Sequence, residues 1–392
     1  MTVRVSKPEF NLREKLTELD RPVGLKGNEL VRAETTQDAR DLVSAGRKNL
    51  IINGAMKVAQ RGTSYTGTNS YGTVDRMACS HGGTNESPTQ AQVDVASGTT
   101  PYSLGFRKAF KITNGNQTGG LSAGDLIEAI RYRVEAQDMA NSGWNYKSGS
   151  SFITLSFWVK SSVSFNMKGY FFHHHGTTQS YPLETGTLTA NRWTKIVRTI
   201  PGNPTVTFNN DTGVGLTISF GVYGTNFSSS NSPVNQWVTY SAATLTNPSE
   251  TTWYTTNDAT LEFTGLQLEV GPNATEFEHR SFAEELALCQ RYYFKTTDAK
   301  GTVYPNGGTT TQVGLGVAFP VRMRTTPSVS LPTSVSSNVH NFGAANNSYT
   351  SGGQYGSNVD GANFYMLNGN SATAGTFSVL NTNAYVEFST EL

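Results

Sequence analysis

Cysteine is nearly missing from this chain. Only Cys79 and Cys289 occur in 392 residues, too few for a disulfide framework and consistent with synthesis in a reducing cytoplasm. One bridge between the two stays open. No run approaches the roughly 18 apolar residues of a membrane-spanning helix, and MTVRVSKPEFNLREK at the N-terminus lacks the apolar stretch of a secretory signal, so no membrane insertion is expected. Charge is also scarce, at 15% of residues, and balanced to a formal net charge of +1. Lysine and arginine form no dense patch, which argues against a nucleic-acid partner, because phosphate binding needs clustered cations. There is no GxSxG, no HExxH and no cysteine–histidine setting for thiolate chemistry. A repeated solenoid period is missing as well.

What is present is glycine, at 39 residues, with 11% aromatics and abundant Ser, Thr and Asn. That mixture suits many short strands joined by tight turns, hence a mainly β body. The length fits about two or three domains. Residues 1–47 differ, being rich in charges of both signs and nearly free of aromatics. Asn11 with Glu14 caps one expected short helix through Leu19, stopped by Pro22. Thr35 with Asp38 caps a second through Leu42 and Val43, ended by Gly46. Helices this short are marginal alone, so Leu12, Leu16, Leu19, Leu30, Leu42 and Val43 are expected to bury against sister chains, another protein or the chain's own body. The heptads do not persist long enough for a sustained coiled coil.

The stretch Phe263–Tyr293 organises the remainder. Phe263, Leu266, Leu268 and Val270 alternate as in a half-buried strand, and Gly271, Pro272 and Asn273 then turn the chain. Ser281 with Glu284 reads as a capping box, with Phe282, Leu286, Cys289 and Tyr293 at helical spacing. A strand thus closes one β domain, and a helical linker over 281–293 leads into another. For 48–280 the expected strands are 50–52, 73–79, 92–95, 106–112, 127–135, 152–161, 165–172, 194–200, 215–223 and 261–270, which together mean a two-sheet jelly roll. In Phe152–Ser161 both alternating faces carry bulk, so that strand should be central. Residues 294–392, rich in Gly, Asn, Ser and Thr, read as a small C-terminal β domain with strands near 310–318, 328–331, 363–367, 376–380 and 385–389. The segment 344–361, AANNSYTSGGQYGSNVDG, reads as a long exposed loop.

The words GLQLEVG, AT-x-FEHRS and EELALCQRYY resemble the junction between a jelly-roll module and a small C-terminal β domain in bacteriophage and prophage tail-fibre, receptor-binding proteins. NLIINGAMKVAQRGTS, YGTVDRM, LSFWVKSS and RWTKIVRTIPG precede them in that family's order. The resemblance covers roughly residues 48–392. It implies a virion protein on the tail surface, made in the host cytoplasm, with a carbohydrate-binding-like sandwich and a homotrimeric assembly. Residues 1–47 would then be the virion-attachment arm, docking on a tail adaptor or nozzle protein. A capsid or tail decoration protein without receptor binding is the alternative.

Glycan recognition needs flat aromatic faces with amides and carboxylates beside them. Trp144, Asn145 and Tyr146 in NSGWNYKSG, and Asn235, Gln236 and Trp237 with Tyr240 in SPVNQWVTY, supply these for host surface polysaccharide. The competing reading is that both tryptophans cap the ends of the core. Tyr349, Tyr355 and Asn358 form a further candidate. His173, His174 and His175 are consecutive, so in a strand they face opposite ways and cannot share one ion. They read as solvated residues at a strand end, and no metal or other cofactor is expected. Asp75, Asp94, Asp125, Asp138, Asp211, Asp258 and Glu262 are available to a glycosidase pair, but no spacing marks two as partners, and an enzyme is not expected. Asp75 with Arg76, and Glu269 with Glu278 and Arg280, read instead as partly buried ion pairs at strand ends.

Overall fold

A computed structural model describes residue 32 and residues 48–117, 119–225, 232–241, 245–248, 250–306, 310–331, 335–341, 347–349, 351–368, 377–380 and 385–392. The chain divides into two compact units, Met1–Arg47 and Lys48–Leu392. The arm candidates Leu12, Leu16, Leu19, Leu30, Leu42 and Val43 lie outside the described residues.

The second unit is mainly β. Its first part holds β1 (Ser64–Thr66), β2 (Ala78–Gly82), β3 (Thr89–Asp94), β4 (Lys108–Thr113), β5 (Leu126–Glu135), β6 (Phe152–Ser161), β7 (Phe165–His173), β8 (Gln179–Leu188), β9 (Thr194–Pro201), β10 (Val214–Gly224), β11 (Val238–Thr239) and β12 (Thr260–Val270). Two six-stranded antiparallel sheets result, ordered β1-β3-β4-β12-β6-β9 and β11-β8-β7-β10-β5-β2. Between them lies one core, in which Ile153, Leu155, Phe157 and Val159 of β6 meet Leu216, Ile218 and Phe220 of β10. The Phe157 and Phe220 rings are 4.7 Å apart. Complete burial of such side chains contributes about 1.5–3 kcal/mol each. On the other side of β6, Trp158 joins Phe106, Phe277 and Trp193 in a smaller cluster, which explains why both faces of that strand are bulky. The strand lies between β12 and β9, inside the sheet.

In the sandwich two local expectations fail and one strand was missed, each for a physical reason. Residues 50–52 are a turn, not a strand. β12 shifts register against β6 between Thr264 and Gln267, at Gly265 with φ +66°, and its ladder with β4 stops at Phe263, so the edge of β12 carrying Leu266 and Leu268 bonds elsewhere. Asn49 takes them: its Oδ1 accepts from Leu268 N at 3.0 Å and its Nδ2 donates to Leu266 O at 3.0 Å. Residues 73–77 also turn, with Arg76 at φ +70°, before β2 starts at Ala78. β8 escaped notice because Pro182 and Gly186 interrupt its alternation. It nevertheless pairs with β7 across a register shift.

Ser281 caps the helix Phe282–Gln290 as expected, its Oγ accepting from Glu284 N at 3.2 Å. The buried face is Glu285 and Cys289, whereas Phe282 is 56% exposed. Both cysteines are free and buried. The C-terminal strands are β13 (Tyr293–Thr296), β14 (Lys300–Asn306), β15 (Thr310–Ala318), β16 (Ser328–Ser330), β17 (Val335–Asn341), β18 (Asn347–Tyr349), β19 (Ser351–Ser357), β20 (Gly361–Asn368), β21 (Phe377–Leu380) and β22 (Val386–Ser389). They form sheets β13-β22-β16 and β18-β17-β21-β14-β15-β20-β19, over a modest core around Leu315, Phe364, Met366 and Phe388. The expected loop 344–361 therefore contains two edge strands. β19 shows no apolar alternation because it lies at a sheet edge with its described side chains largely in solvent.

Charged and aromatic groups knit this domain to the sandwich. Arg76 lies over the Tyr292 ring at 3.5 Å, pairs with Glu391 and donates to the Arg133 carbonyl. Arg61 lies over the Tyr293 ring at 3.6 Å and meets Glu391 at 3.2 Å and Asp75 at 3.7 Å. Arg291 grips Glu135 through two bonds, of 2.8 and 2.9 Å, and Tyr292 donates to the same carboxylate. Burial alone would raise the Glu135 pKa, but these donors hold it below the ordinary value. Arg280 pairs with Glu278 at 2.9 Å, whereas Glu269 turns away to accept from Thr275 N at 2.9 Å.

Candidate functional site

An open cleft of about 730 Å³ lies on the C-terminal domain between β15 and the β19–β20 hairpin. Gly316, Gly356 and Gly361 line it beside Tyr355, Asn358, Asp360 and Asn363, and the volume falls within the usual range for ligand sites. The hairpin turn is built by Asn358, whose Oδ1 accepts from Asp360 N at 2.8 Å and Gly361 N at 3.0 Å. Such side-chain capping of a turn is what asparagine does readily.

A β-bulge presents Tyr355. Gln354 pairs with Phe364 and Gly356 with Asn363, so Tyr355 is the extra residue with no partner across the ladder. Bulges re-aim a side chain away from the regular pleat. Its ring is 60% exposed, braced against Tyr365 with centroids 4.9 Å apart, and its hydroxyl accepts from Gln312 Nε2. An open aromatic face therefore stands at the lip of a cleft whose Asn358, Asp360 and Asn363 are exposed. Chemically, that set can stack on the CH face of a sugar and exchange hydrogen bonds with its hydroxyls. Tyr349 enters the same sheet through β18, paired with Val335.

The sandwich loops named from the sequence are placed differently. Trp144 is only 3% exposed, with its Nε1 donating to Ser151 O at 3.3 Å. It caps the core rather than offering a free face. Tyr146 is half-buried with its ring 4.9 Å from Phe208, while Asn145 is exposed. Trp237 closes the open edge of the sandwich: its ring lies 5.2 Å from Tyr181 of β8, and its Nε1 donates to Pro201 O of β9 at 2.7 Å. Asn235, at φ +61°, and Gln236 remain exposed beside it. The two loops meet the same end of β9, since Asn203 N donates to Tyr146 O at 2.8 Å.

The three histidines are not all solvated. His173 points into the core against Phe208. His174 points the other way, bonded to Thr217 Oγ1 at 2.8 Å, and burial with the nearby Arg133 charge pushes its pKa down to about 4. Among the described residues no group of His, Cys, Asp or Glu is arranged to hold a metal ion. Most carboxylates considered for hydrolysis are engaged structurally. Asp94 pairs with Lys108 at 2.6 Å, Glu262 with Lys160 at 2.9 Å, Asp125 accepts from Tyr254 at 2.9 Å, and Asp211 from Gly213 N at 2.9 Å. Asp75 accepts from Gln60 N at 3.0 Å, and burial raises its pKa to about 6.

Sequence reasoning missed Asp360 and Asn363. Asp360 lay within the segment read as a long exposed loop, and nothing local shows that Asn363 and Gly316 are adjacent across the β15–β20 ladder.

No protein-family model and no curated protein sequence matches the chain. Among solved structures, the chain overlaps the enzymatically active domain of tailspike protein 4 of bacteriophage CBA120 at 9% identity and TM-score 0.31, covering 57% of this chain and only 21% of that one. It overlaps the tandem CBM22-1–CBM22-2 domain of Paenibacillus barcinonensis Xyn10C at 10% identity and TM-score 0.28, covering 89% and 99%. A third overlap is with the family 11 carbohydrate-binding module of Lic26A-Cel5E from Clostridium thermocellum, at 11% identity and TM-score 0.24, covering 55% and 98%. At these values the overlaps are remote, and the functional reading stands on the side chains themselves.

Proposed function

We propose that the chain is a receptor-binding tail-fibre protein of a bacteriophage, holding host surface glycan without cleaving it. The observation that carries the glycan reading is Tyr355, set by a bulge at the lip of an open, glycine-floored cleft with Asn358, Asp360 and Asn363 beside it. The tail-fibre part rests on the ordered sequence words from NLIINGAMKVAQRGTS to EELALCQRYY. Residues 1–47 would attach it to a tail adaptor or nozzle protein. Binding without cleavage is supported by the carboxylates considered for hydrolysis, of which Asp75, Asp94, Asp125, Asp211 and Glu262 are tied into ion pairs and turns. A single open platform of this kind holds a sugar weakly. A homotrimer, with several fibres per particle, would raise retention through effective concentration.

The test is a glycan array probed with the full chain and with Tyr355→Ala. Retention of a defined set of bacterial surface glycans, lost in the variant, is the expected outcome. Equal retention by both proteins would remove the cleft from the account. Release of shortened saccharide during incubation would replace binding with hydrolysis.

A further inference from the structure

The outward face of the second sandwich sheet carries a cation that no described group neutralises. Strand register sets Phe172, Thr217 and Arg133 in one row across β7, β10 and β5, and Tyr170, Ser219 and Arg131 in the next. Because Leu216, Ile218 and Phe220 enter the core, Thr217 and Ser219 face outward. Their small side chains form a floor between aromatic residues on β7 and guanidinium groups on β5.

The second row is electrostatically closed. Arg131 Nη1 donates to Glu128 Oε2 at 2.9 Å, and the Tyr170 hydroxyl donates to the other oxygen of the same carboxylate. In the first row Thr217 is buried and bonded to His174, but the cation is unpaired. Among the described residues the Arg133 side chain has no ion pair or hydrogen bond, and its Nε is buried without a partner, as is that of Arg131. The groups that face it do not compensate: Arg131 repels it, Glu128 is already shared, and Tyr71 and Tyr170 are neutral hydroxyls. His174 is bonded to Thr217. Burial and the Arg131 charge both lower the Arg133 pKa. A half-buried cation in this setting is costly to the free protein and is relieved by an incoming anion. The guanidinium fork matches a planar or tetrahedral oxyanion through two parallel bonds.

We propose that Arg133, flanked by Arg131 and by the Phe172–Thr217 row, is a binding subsite for an oxyanion carried on a surface polymer, either a sugar carboxylate or a phosphate. It is separate from the Tyr355 cleft and does not depend on it. Calorimetric titration of the full chain with trigalacturonate, inorganic phosphate and neutral galactotriose tests it. The wild type should bind at least one anion, more weakly as salt rises, with little affinity for galactotriose. Preference for trigalacturonate indicates an acidic sugar, and preference for phosphate indicates a phosphorylated polymer. Arg133→Gln should weaken anion binding about tenfold or more, while Tyr355→Ala leaves it unchanged. If Arg133→Gln does not fold, Arg133→Lys decides, because it keeps the charge and loses the fork, and a loss of about threefold or more is expected. Wild-type affinity in the folded Arg133 variant, or no anion binding by the wild type, overturns the proposal. A change of oligomeric state in Arg133→Gln without anion binding would also overturn it, since the partner would then be a carboxylate of a sister chain.

Discussion

Glu391→Gln should destabilise the second unit far more than its place one residue from the end of this sequence suggests. The carboxylate is the shared partner of two arginines, and the side chains of Arg76, Arg61 and Glu391 are 1%, 9% and 6% exposed. Glutamine keeps the volume and removes the charge, so cavity effects are small and the electrostatic part is isolated. Breaking a buried pair typically costs about 3–5 kcal/mol, because the surviving charge stays buried. Here each arginine keeps some compensation: Arg61 has Asp75 at 3.7 Å, and Arg76 has the Arg133 carbonyl and the Tyr292 ring. A loss of about 2–4 kcal/mol is therefore expected. With an unfolding entropy of about 0.7 kcal/mol per kelvin for a unit this size, 3 kcal/mol corresponds to roughly 4 °C in Tm. Urea unfolding of wild type, Glu391→Gln, Arg76→Met and the double variant measures both the loss and the coupling. A coupling above about 1 kcal/mol is expected. A loss under about 0.5 kcal/mol, or strict additivity, would refute the claim that this knot holds the domains together.

Other expectations follow from single side chains. Tyr355→Ala should change stability by less than about 0.5 kcal/mol, because the ring is largely in solvent, while reducing glycan retention at least tenfold; calorimetry and the array report the two separately. Trp144→Ala should cost about 3–5 kcal/mol in urea unfolding, as a buried aromatic deletion does, and a near-neutral result would mean the indole is not part of the core. Protonation of His174 should weaken the fold. Its folded pKa, about 4, lies below the ordinary 6.5, so its contribution is complete above about pH 6.5 and is lost as pH falls through the folded value. Conversion of that shift at about 1.36 kcal/mol per pH unit gives a ceiling near 3 kcal/mol, and partial solvent screening reduces it to about 1–2 kcal/mol. His174→Gln should flatten the decline in urea midpoint between pH 6.5 and 4, and an unaltered slope would contradict the assignment.

Much of the sandwich was legible because burial on one or both faces imposes a period-two pattern. Phe152–Ser161 was read residue for residue, and the Ser281–Glu284 capping box located the linker helix. What escaped is set by long-range partners. Asn49 holds residues 50–52 in a turn by capping the edge of β12 that β4 leaves uncovered beyond Phe263, some 200 residues away. β19 is a strand because β20 offers it a ladder, not because its own glycines and polar residues favour one. The site divides similarly. Residue type alone marked Tyr355 as a platform, but it marked Trp144 as well, and only the packing of Phe208 and Ser151 distinguishes a core cap from an exposed face. Arg133 carries no sequence signal beyond being an arginine in a strand, since what distinguishes it is the lack of a carboxylate across the register.

The most direct test of receptor binding is adsorption competition. Host cells are pre-coated with the purified full chain, or with the folded Tyr355→Ala variant, and free virions are counted after mixing. The account predicts that adsorption falls with the dose of the wild type and falls much less with the variant. Unchanged adsorption at saturating doses of folded wild-type protein would contradict the receptor-binding claim and favour a decoration role on the particle.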